Sequence, residues 1–349
     1  PAPIPAQVVI PLRQHIGAPC TPLVKPGDTV GLGQKLGDGE GLCVPVHASV
    51  SGLVTAVEPR PHPGGGQVLS VVIENDYQDT PASALEPHLD LSGLTKEEIV
   101  SIIGEAGIVG MGGATFPTDV KTVAGMGRVD TLIANACECE PYITADDALL
   151  CTYPEQVLRG MGVLMAVLEP KRAVLAVEDN KSEAVGILKK QVETFPGIEL
   201  LILPTRYPQG AEKQLIQAVT GRQVPPGALP KDVGCAVFNA ATFASIYKAV
   251  YEGEPVTRRI VTVTGEGVRE PKNLIVRIGT PFSEVIAAAG GLTGDVWKVL
   301  SGGPMMGVAQ ADLAVPVVKG TNAVLCLSRA QDREGAHPQC IRCAKCVTA

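Results

Sequence analysis

Between residues 90 and about 250, apolar runs of strand length alternate with longer stretches of helical spacing. The runs fall at 131–134, 173–177 and 200–203, and the helical patterns at 146–168, 181–194 and 211–219. This alternation predicts a parallel sheet with crossover helices. Ligands of such sheets collect in loops that follow the strand C-termini. Either side of this stretch the pattern changes. Residues 7 to about 80 form short β-type runs punctuated by turns. Beyond residue 256, 258–264 alternates as a strand, 281–289 reads as a helix and 296–300 as another strand.

These textures divide the chain into 1–85, 86–252, 253–330 and 331–349. In the first part, 24–36 and 46–57 look like the halves of a biotinyl/lipoyl-type sandwich. The turn at 45–51 carries no lysine, so a swinging arm is not expected there, and His47 reads as a satisfied turn residue. In the third part the order strand, strand, helix, strand is β-grasp-like. The fold class expected is therefore an α/β core between a β-rich sandwich and a β-grasp. Gly302-Gly-Pro-Met-Met-Gly307 reads as a tight loop whose methionines pack at a domain junction.

Composition narrows the function. A net charge of −7 and 3% aromatic residues argue against nucleic acid as partner. No apolar run approaches the roughly 18 residues of a membrane span. The greasiest segment, 161–168, reads as a buried helix. There are ten cysteines and no signal peptide, and Cys151, Cys235 and Cys326 sit singly in apolar contexts. They read as core residues in a reducing compartment. The proline-rich start at Pro1 and the stop after a cysteine cluster suggest a trimmed fragment.

The most informative stretch is Gly110-Met-Gly-Gly-Ala-Thr-Phe-Pro-Thr118, with Lys121 after it. Glycines let backbone amides converge on a phosphate. Pro117 and Thr118 read as the start of a helix, whose positive end favours an anion. A glycine cluster is equally an ordinary turn, and the usual dinucleotide fingerprint wants a strand before it. Here 94–106 reads as an amphipathic helix, so an ordinary Rossmann first turn is disfavoured. Asn135-Ala-Cys-Glu-Cys-Glu-Pro-Tyr142 follows the run at 131–134 and places amides and carboxylates at a strand end. Together they point to a nucleotide or flavin site.

At these residues the chain resembles the RnfC family of the Rnf electron-transport complex and, more distantly, the NADH-binding flavoprotein subunit of respiratory complex I. The resemblance also runs through Pro11-Leu-Arg-Gln-His-Ile-Gly17, Pro45-Val-His-Ala-Ser-Val-Ser-Gly52, Glu178-Asp-Asn-Lys181, Gly302–Gly307 and Cys340-Ile-Arg-Cys-Ala-Lys-Cys346. It implies an FMN electron-input subunit that exchanges hydride with NAD(H) and passes electrons through iron–sulfur clusters. Such a subunit sits peripherally on the cytoplasmic face of the membrane, beside membrane subunits and a ferredoxin-like subunit. The third part then resembles the soluble-ligand-binding β-grasp (SLBB) family.

Carried over residue by residue, the resemblance assigns Gly110, Gly112, Gly113, Lys121, Asn135, Glu138, Cys139 and Asn239 to FMN. Met111 stands where complex I relatives carry arginine, which removes one phosphate-facing charge and leaves more to Lys121. A solvated helix lysine is the alternative for Lys121. Phe116, Glu140, Glu178 and Glu212 are assigned to NADH, with a plug between loop and helix as the alternative for Phe116. If 137–140 is extended, Glu138 and Glu140 share one face and Cys137 and Cys139 the other. Complex I relatives carry an acid and a serine at Cys137 and Cys139, so these are not read as a metal pair. No catalytic side chain is expected, because hydride chemistry belongs to the flavin.

Cys340, Cys343 and Cys346 have the spacing that opens a bacterial 4Fe-4S run. The next cysteine would fall beyond Ala349, so a complete cluster is not expected within these 349 residues. Two alternatives remain from sequence. One is a related NADH–flavin reductase serving another acceptor, such as cobalamin or a soluble reductase. The other is a non-enzymatic β-grasp scaffold for a ligand.

Overall fold

The computed structural model describes residues 1–330 and Arg342. The Cys340, Cys343 and Cys346 run lies outside the described residues.

The N-terminal part comprises β1 (Gln7–Pro11), β2 (Thr21–Pro22), β3 (Thr29–Val30), β4 (Lys35–Asp38), β5 (Val46–His47), β6 (Gly52–Pro61) and β7 (Gln67–Asn75). They form two antiparallel sheets, ordered β1-β7-β6-β3 and β2-β4-β5. His47 is not a turn residue. It lies in β5, buried, with ring Nδ1 unpartnered.

The central part runs α1 (Lys96–Glu105), α2 (Thr118–Gly125), β8 (Thr131–Ala136), α3 (Ala145–Thr152), α4 (Pro154–Leu168), β9 (Arg172–Glu178), α5 (Ser182–Gln191), β10 (Ile198–Leu203), α6 (Glu212–Thr220), β11 (Cys235–Asn239) and α7 (Ala240–Glu252). Its four strands are all parallel, in the order β10-β9-β8-β11. The single helix expected over 146–168 is two helices. Pro154 lacks an amide hydrogen and disfavours helical Tyr153, so the chain breaks there and restarts with proline in the first turn. The five-residue β11 is absent from the sequence pattern, and it matters most. From β8 the chain winds outward through β9 and β10, then returns to pair β11 on the other side of β8. That reversal is a topological switch point, where ligand crevices form. Behind the sheet α4 crosses α7 at Gly160, where a Cβ would run into the Phe243 carbonyl.

The C-terminal part comprises β12 (Arg258–Thr264), β13 (Lys272–Arg277), α8 (Phe282–Ala288), β14 (Val296–Ser301), β15 (Val308–Ala309) and β16 (Ala323–Ser328). The mixed sheet β13-β12-β16-β14-β15 packed with α8 is a β-grasp. Val8 and Ile10 of β1, Ile73 of β7, Val261 and Val263 of β12 and Phe282 of α8 belong to one hydrophobic core. The N-terminal and C-terminal parts thus share one core, and the α/β unit has a core of its own.

Candidate functional site

A crevice of about 600 Å³ opens at the C-terminal ends of β8 and β11. Its floor is Gly112, Gly113, Asn135, Glu138, Cys139, Glu140 and Asn239. Its wall comes from the flanking parts, with Arg13 and His62 from the N-terminal part and Gly302, Gly303 and Asn322 from the C-terminal part.

The glycine loop lies between α1 and α2, closed by Gly110 N–H to the Phe116 carbonyl (2.9 Å) and Thr115 N–H to the Gly110 carbonyl (3.1 Å). Gly113 has φ +109°, a region that disfavours side chains, and the position where a Cβ would stand is open space. Met111 turns its side chain into the core, and its N–H donates to Thr242 Oγ1 (3.0 Å). Both flanks hold this loop. Ile16 N–H donates to the Thr115 carbonyl (3.1 Å). Arg259 reaches the Met111 carbonyl (3.4 Å) and the Lys319 carbonyl.

Asn135 and Asn239 are register partners at the ends of β8 and β11. Asn135 Nδ2 donates to the Gly210 carbonyl (2.8 Å), and its Oδ1 accepts from Cys137 N–H (3.1 Å). Asn239 Nδ2 donates to Asp146 Oδ2 (2.6 Å), while its Oδ1 caps α7 at Ala241 N–H (2.9 Å). These bonds fix both carboxamides, yet each retains a second amide hydrogen.

After β8 the chain is not extended, because tight bonds from Glu138 N–H to the Ala136 carbonyl and Cys139 N–H to the Cys137 carbonyl kink it. Glu138 therefore turns inward and accepts from the first amides of α3, Asp146 N–H (2.9 Å) and Asp147 N–H (3.3 Å). Lys181 Nζ stands at 3.4 Å. Burial, then repulsion by Asp146, raises its pKa, and Lys181 opposes the rise. Cys137 is buried, with its thiol towards the Ala176 carbonyl, and Cys139 Sγ accepts from Gly210 N–H (3.3 Å). Burial lifts both thiols, so neither supplies a thiolate.

Glu140 faces the C-terminal loop, where a Cβ on Gly303 would collide with its carboxylate. The amides of Gly303, Met305 and Met306 draw its pKa down, but none reaches hydrogen-bonding geometry, and burial prevails in the upward direction. The methionines do not pack at a junction. Met305 and Met306 are exposed, and their backbone is what meets the site.

Five residues assigned from sequence do not line the crevice. Gly110 closes the loop's turn, and Phe116 is half-buried beside it. Lys121 and Glu212 pair with each other (2.6 Å), Lys121 standing 5.2 Å over the Phe238 ring. Glu178 is buried at the end of β9, accepting from Arg206 N–H (3.2 Å) with Oε2 unpartnered.

Sequence reasoning passes over Arg13, Asp146, Arg259 and Lys319. Arg259 carries a signal: it shares the inner face of β12 with Val261 and Val263, so a charge stands on a buried face. Lys319 is 1% exposed, and Nζ donates to the carbonyls of Pro45 (2.7 Å) and Gly107 (2.6 Å), joining all three parts. Burial lowers its pKa to about 7.

The site fits a flavin nucleotide. Its volume lies within the roughly 300–1,000 Å³ of cofactor pockets. The open face at Gly113 admits phosphate to the backbone, and both carboxylate oxygens of half-buried Glu140 lack partners.

Comparison with known proteins agrees. Residues 103–248 match the family described as the Nuo51 FMN-binding domain, 1–78 the RnfC barrel sandwich hybrid domain and 260–309 the SLBB domain. Over 345 residues the chain is 47% identical to the C component of the Na(+)-translocating ferredoxin:NAD(+) oxidoreductase complex of Acetobacterium woodii, covering 98% of this chain and 78% of that protein. It is 43% identical over 350 residues to the C component of the proton-translocating ferredoxin:NAD(+) oxidoreductase complex of Clostridium ljungdahlii, covering 100% and 76%. It is also 43% identical over 351 residues to the C component of the ion-translocating oxidoreductase complex of Serratia proteamaculans, covering 100% of this chain and half of that protein. Its fold is similar to a chain of an NAD+-reducing NiFe-hydrogenase, with TM-score 0.57 and 23% identity over 68% of this chain and 48% of that one.

Proposed function

The chain belongs to the RnfC family, the C components of ion-translocating ferredoxin:NAD(+) oxidoreductase complexes, and on that premise we propose that its crevice binds FMN and exchanges electrons with NAD(H). The observation that carries this reading is the open glycine loop facing the Asn135–Asn239 pair at the switch point of a parallel sheet. When bound, the flavin supplies two-electron exchange with a nicotinamide and one-electron exchange with other carriers.

The residues bind and orient. Gly112 and Gly113 leave backbone amides open to phosphate, and the second amide hydrogens of Asn135 and Asn239 suit acceptors on the ring edge. Glu138, capping α3, fixes the bend that presents Cys139 and Glu140. Glu140 accepts ribose hydroxyls of the dinucleotide and disfavours a 2′-phosphate. Phe116 and Glu178 stand behind this lining and support the nicotinamide side. Lys121 and Glu212 brace the flank.

Cys340, Cys343 and Cys346 would contribute to a 4Fe-4S cluster that relays electrons towards the ferredoxin-like subunit. The protein would sit peripherally at the cytoplasmic face beside its membrane subunits, and the assembly would couple electron flow to ion translocation. Among the described residues, no helix is long and apolar enough to cross a membrane. The match of residues 1–78 to the barrel sandwich hybrid favours this assembly over a reductase serving cobalamin.

The test is to denature the purified chain, identify the released cofactor and refill the protein with it. FMN at about one per chain supports the reading. Absence of flavin binding, or selective binding of FAD, overturns it.

A further inference from the structure

We propose that Arg13, contributed by the N-terminal part, is the cation that faces the phosphate of the nucleotide in the crevice. This rests on the FMN and NAD(H) reading above. Lys121, the cation expected from sequence, is engaged by Glu212 outside the lining. Of the described residues that do line the crevice, Arg13 alone is a lysine or arginine; Lys181 and Arg259 stand behind the lining and face Glu138 and Asp146, while Glu140 lines it directly. His15 and His62 do not add charge, because burial pushes both below the ordinary imidazole value and the Arg13 guanidinium adds to that shift. A phosphate dianion entering beside Glu140 needs a positive partner on the lining.

The local structure presents Arg13 for that task. Its neighbours are pinned: Leu12 is fully buried, and Gln14 bonds the Pro11 carbonyl (3.1 Å) and Lys319 N–H (3.0 Å). The next link, Ile16 N–H to the Thr115 carbonyl, ties the segment to the glycine loop. Arg13 itself is exposed, and among the described residues its guanidinium has no ion pair or hydrogen bond. A guanidinium on a fixed backbone, lining the same crevice as the open glycine amides, matches the fork geometry of phosphate oxygens. The same role fits the phosphate of FMN or the pyrophosphate of the dinucleotide.

Arg13→Gln and Arg13→Lys decide this. Flavin-fluorescence quenching gives the affinity of each variant for FMN and for riboflavin, and calorimetric titration of FMN-loaded protein gives the affinity for NAD+. If Arg13 faces the flavin phosphate, Arg13→Gln weakens FMN by about tenfold or more and leaves riboflavin within about twofold. If it faces the dinucleotide, FMN affinity holds and NAD+ weakens by a similar factor. In either case Arg13→Lys keeps part of the affinity. The proposal is overturned if Arg13→Gln changes neither nucleotide, or weakens riboflavin as much as FMN. Failure of the unaltered chain to bind FMN would sink the functional reading before any variant is made.

Discussion

The floor of the crevice and its wall are built by different rules. The floor comes from two short stretches, 110–118 and 135–142, plus Asn239, each placed by its own strand or helix end. The wall is held by bonds between distant segments: Gln14 to Lys319, Lys319 to Pro45 and Gly107, and Arg259 to Met111. Strand and helix ends place the floor, and a few long-range bonds, from Asn135 to Gly210 and from the flanks to Met111 and Thr115, then fix it. The wall needs the N-terminal and C-terminal parts to meet, and they do so by sharing one hydrophobic core. The floor offers amides and carboxylates, whereas Arg13 on the wall offers positive charge. A nucleotide therefore has to be recognised by both.

Substitutions in the two regions should separate accordingly. The largest effect is expected from Gly113→Val on the floor. A β-branched residue at φ +109° is strained by about 1–3 kcal/mol and fills the space left to phosphate. FMN affinity should fall by about a hundredfold or more in a protein that still melts cooperatively. Stoichiometric FMN in the folded variant would contradict the loop assignment.

Lys319→Met attacks the wall. It leaves the Pro45 and Gly107 carbonyls without their donor and should cost about 2 kcal/mol or more in denaturant unfolding. It should also change the pH dependence. The folded pKa of about 7 lies below the ordinary 10.5, so between those values the folded protein holds fewer protons than the unfolded chain. Stability from this group therefore rises with pH from about 7 towards 10.5 and is lost as pH falls through that window. The variant should lack that rise; unfolding curves at pH 7 and pH 9 measure it, and an unchanged slope would mean that Lys319 stays charged.

Glu140→Gln should weaken NAD+ binding to FMN-loaded protein by about tenfold with FMN affinity retained. Equal loss of both ligands would move Glu140 to the flavin. The smallest effect is expected from Lys121→Ala. A half-exposed pair with Glu212 contributes at most about 1 kcal/mol, and FMN affinity should stay within about twofold. A large loss of FMN would return Lys121 to the phosphate.

Legibility in the sequence follows the same division. The α/β alternation, the helix before the glycines and the strand end at Asn135 are readable because hydrophobic period and turn residues are local signals. Asn239 is reached only by resemblance, since the five-residue β11 is too short to show a period. The Lys121–Glu212 pair is not legible, because spacing along a helix does not reveal that Glu212 approaches from another helix. Arg259 leaves a trace as a charge in the buried phase of β12, but its partners are backbone carbonyls, which have no sequence signature. Arg13 sits in a motif that stands out by resemblance alone. Its place on the crevice depends on contacts made about 100 residues away, at Thr115.

We propose that this crevice passes hydride between NAD(H) and a bound flavin. Anaerobic stopped-flow mixing of FMN-loaded protein with NADH or NADPH tests it most directly, followed by loss of the oxidised-flavin absorbance. Rapid bleaching by NADH and far slower bleaching by NADPH are expected if, as proposed, Glu140 accepts from a free ribose hydroxyl. Flavin that stays oxidised with NADH, or that bleaches equally fast with both nucleotides, would contradict it.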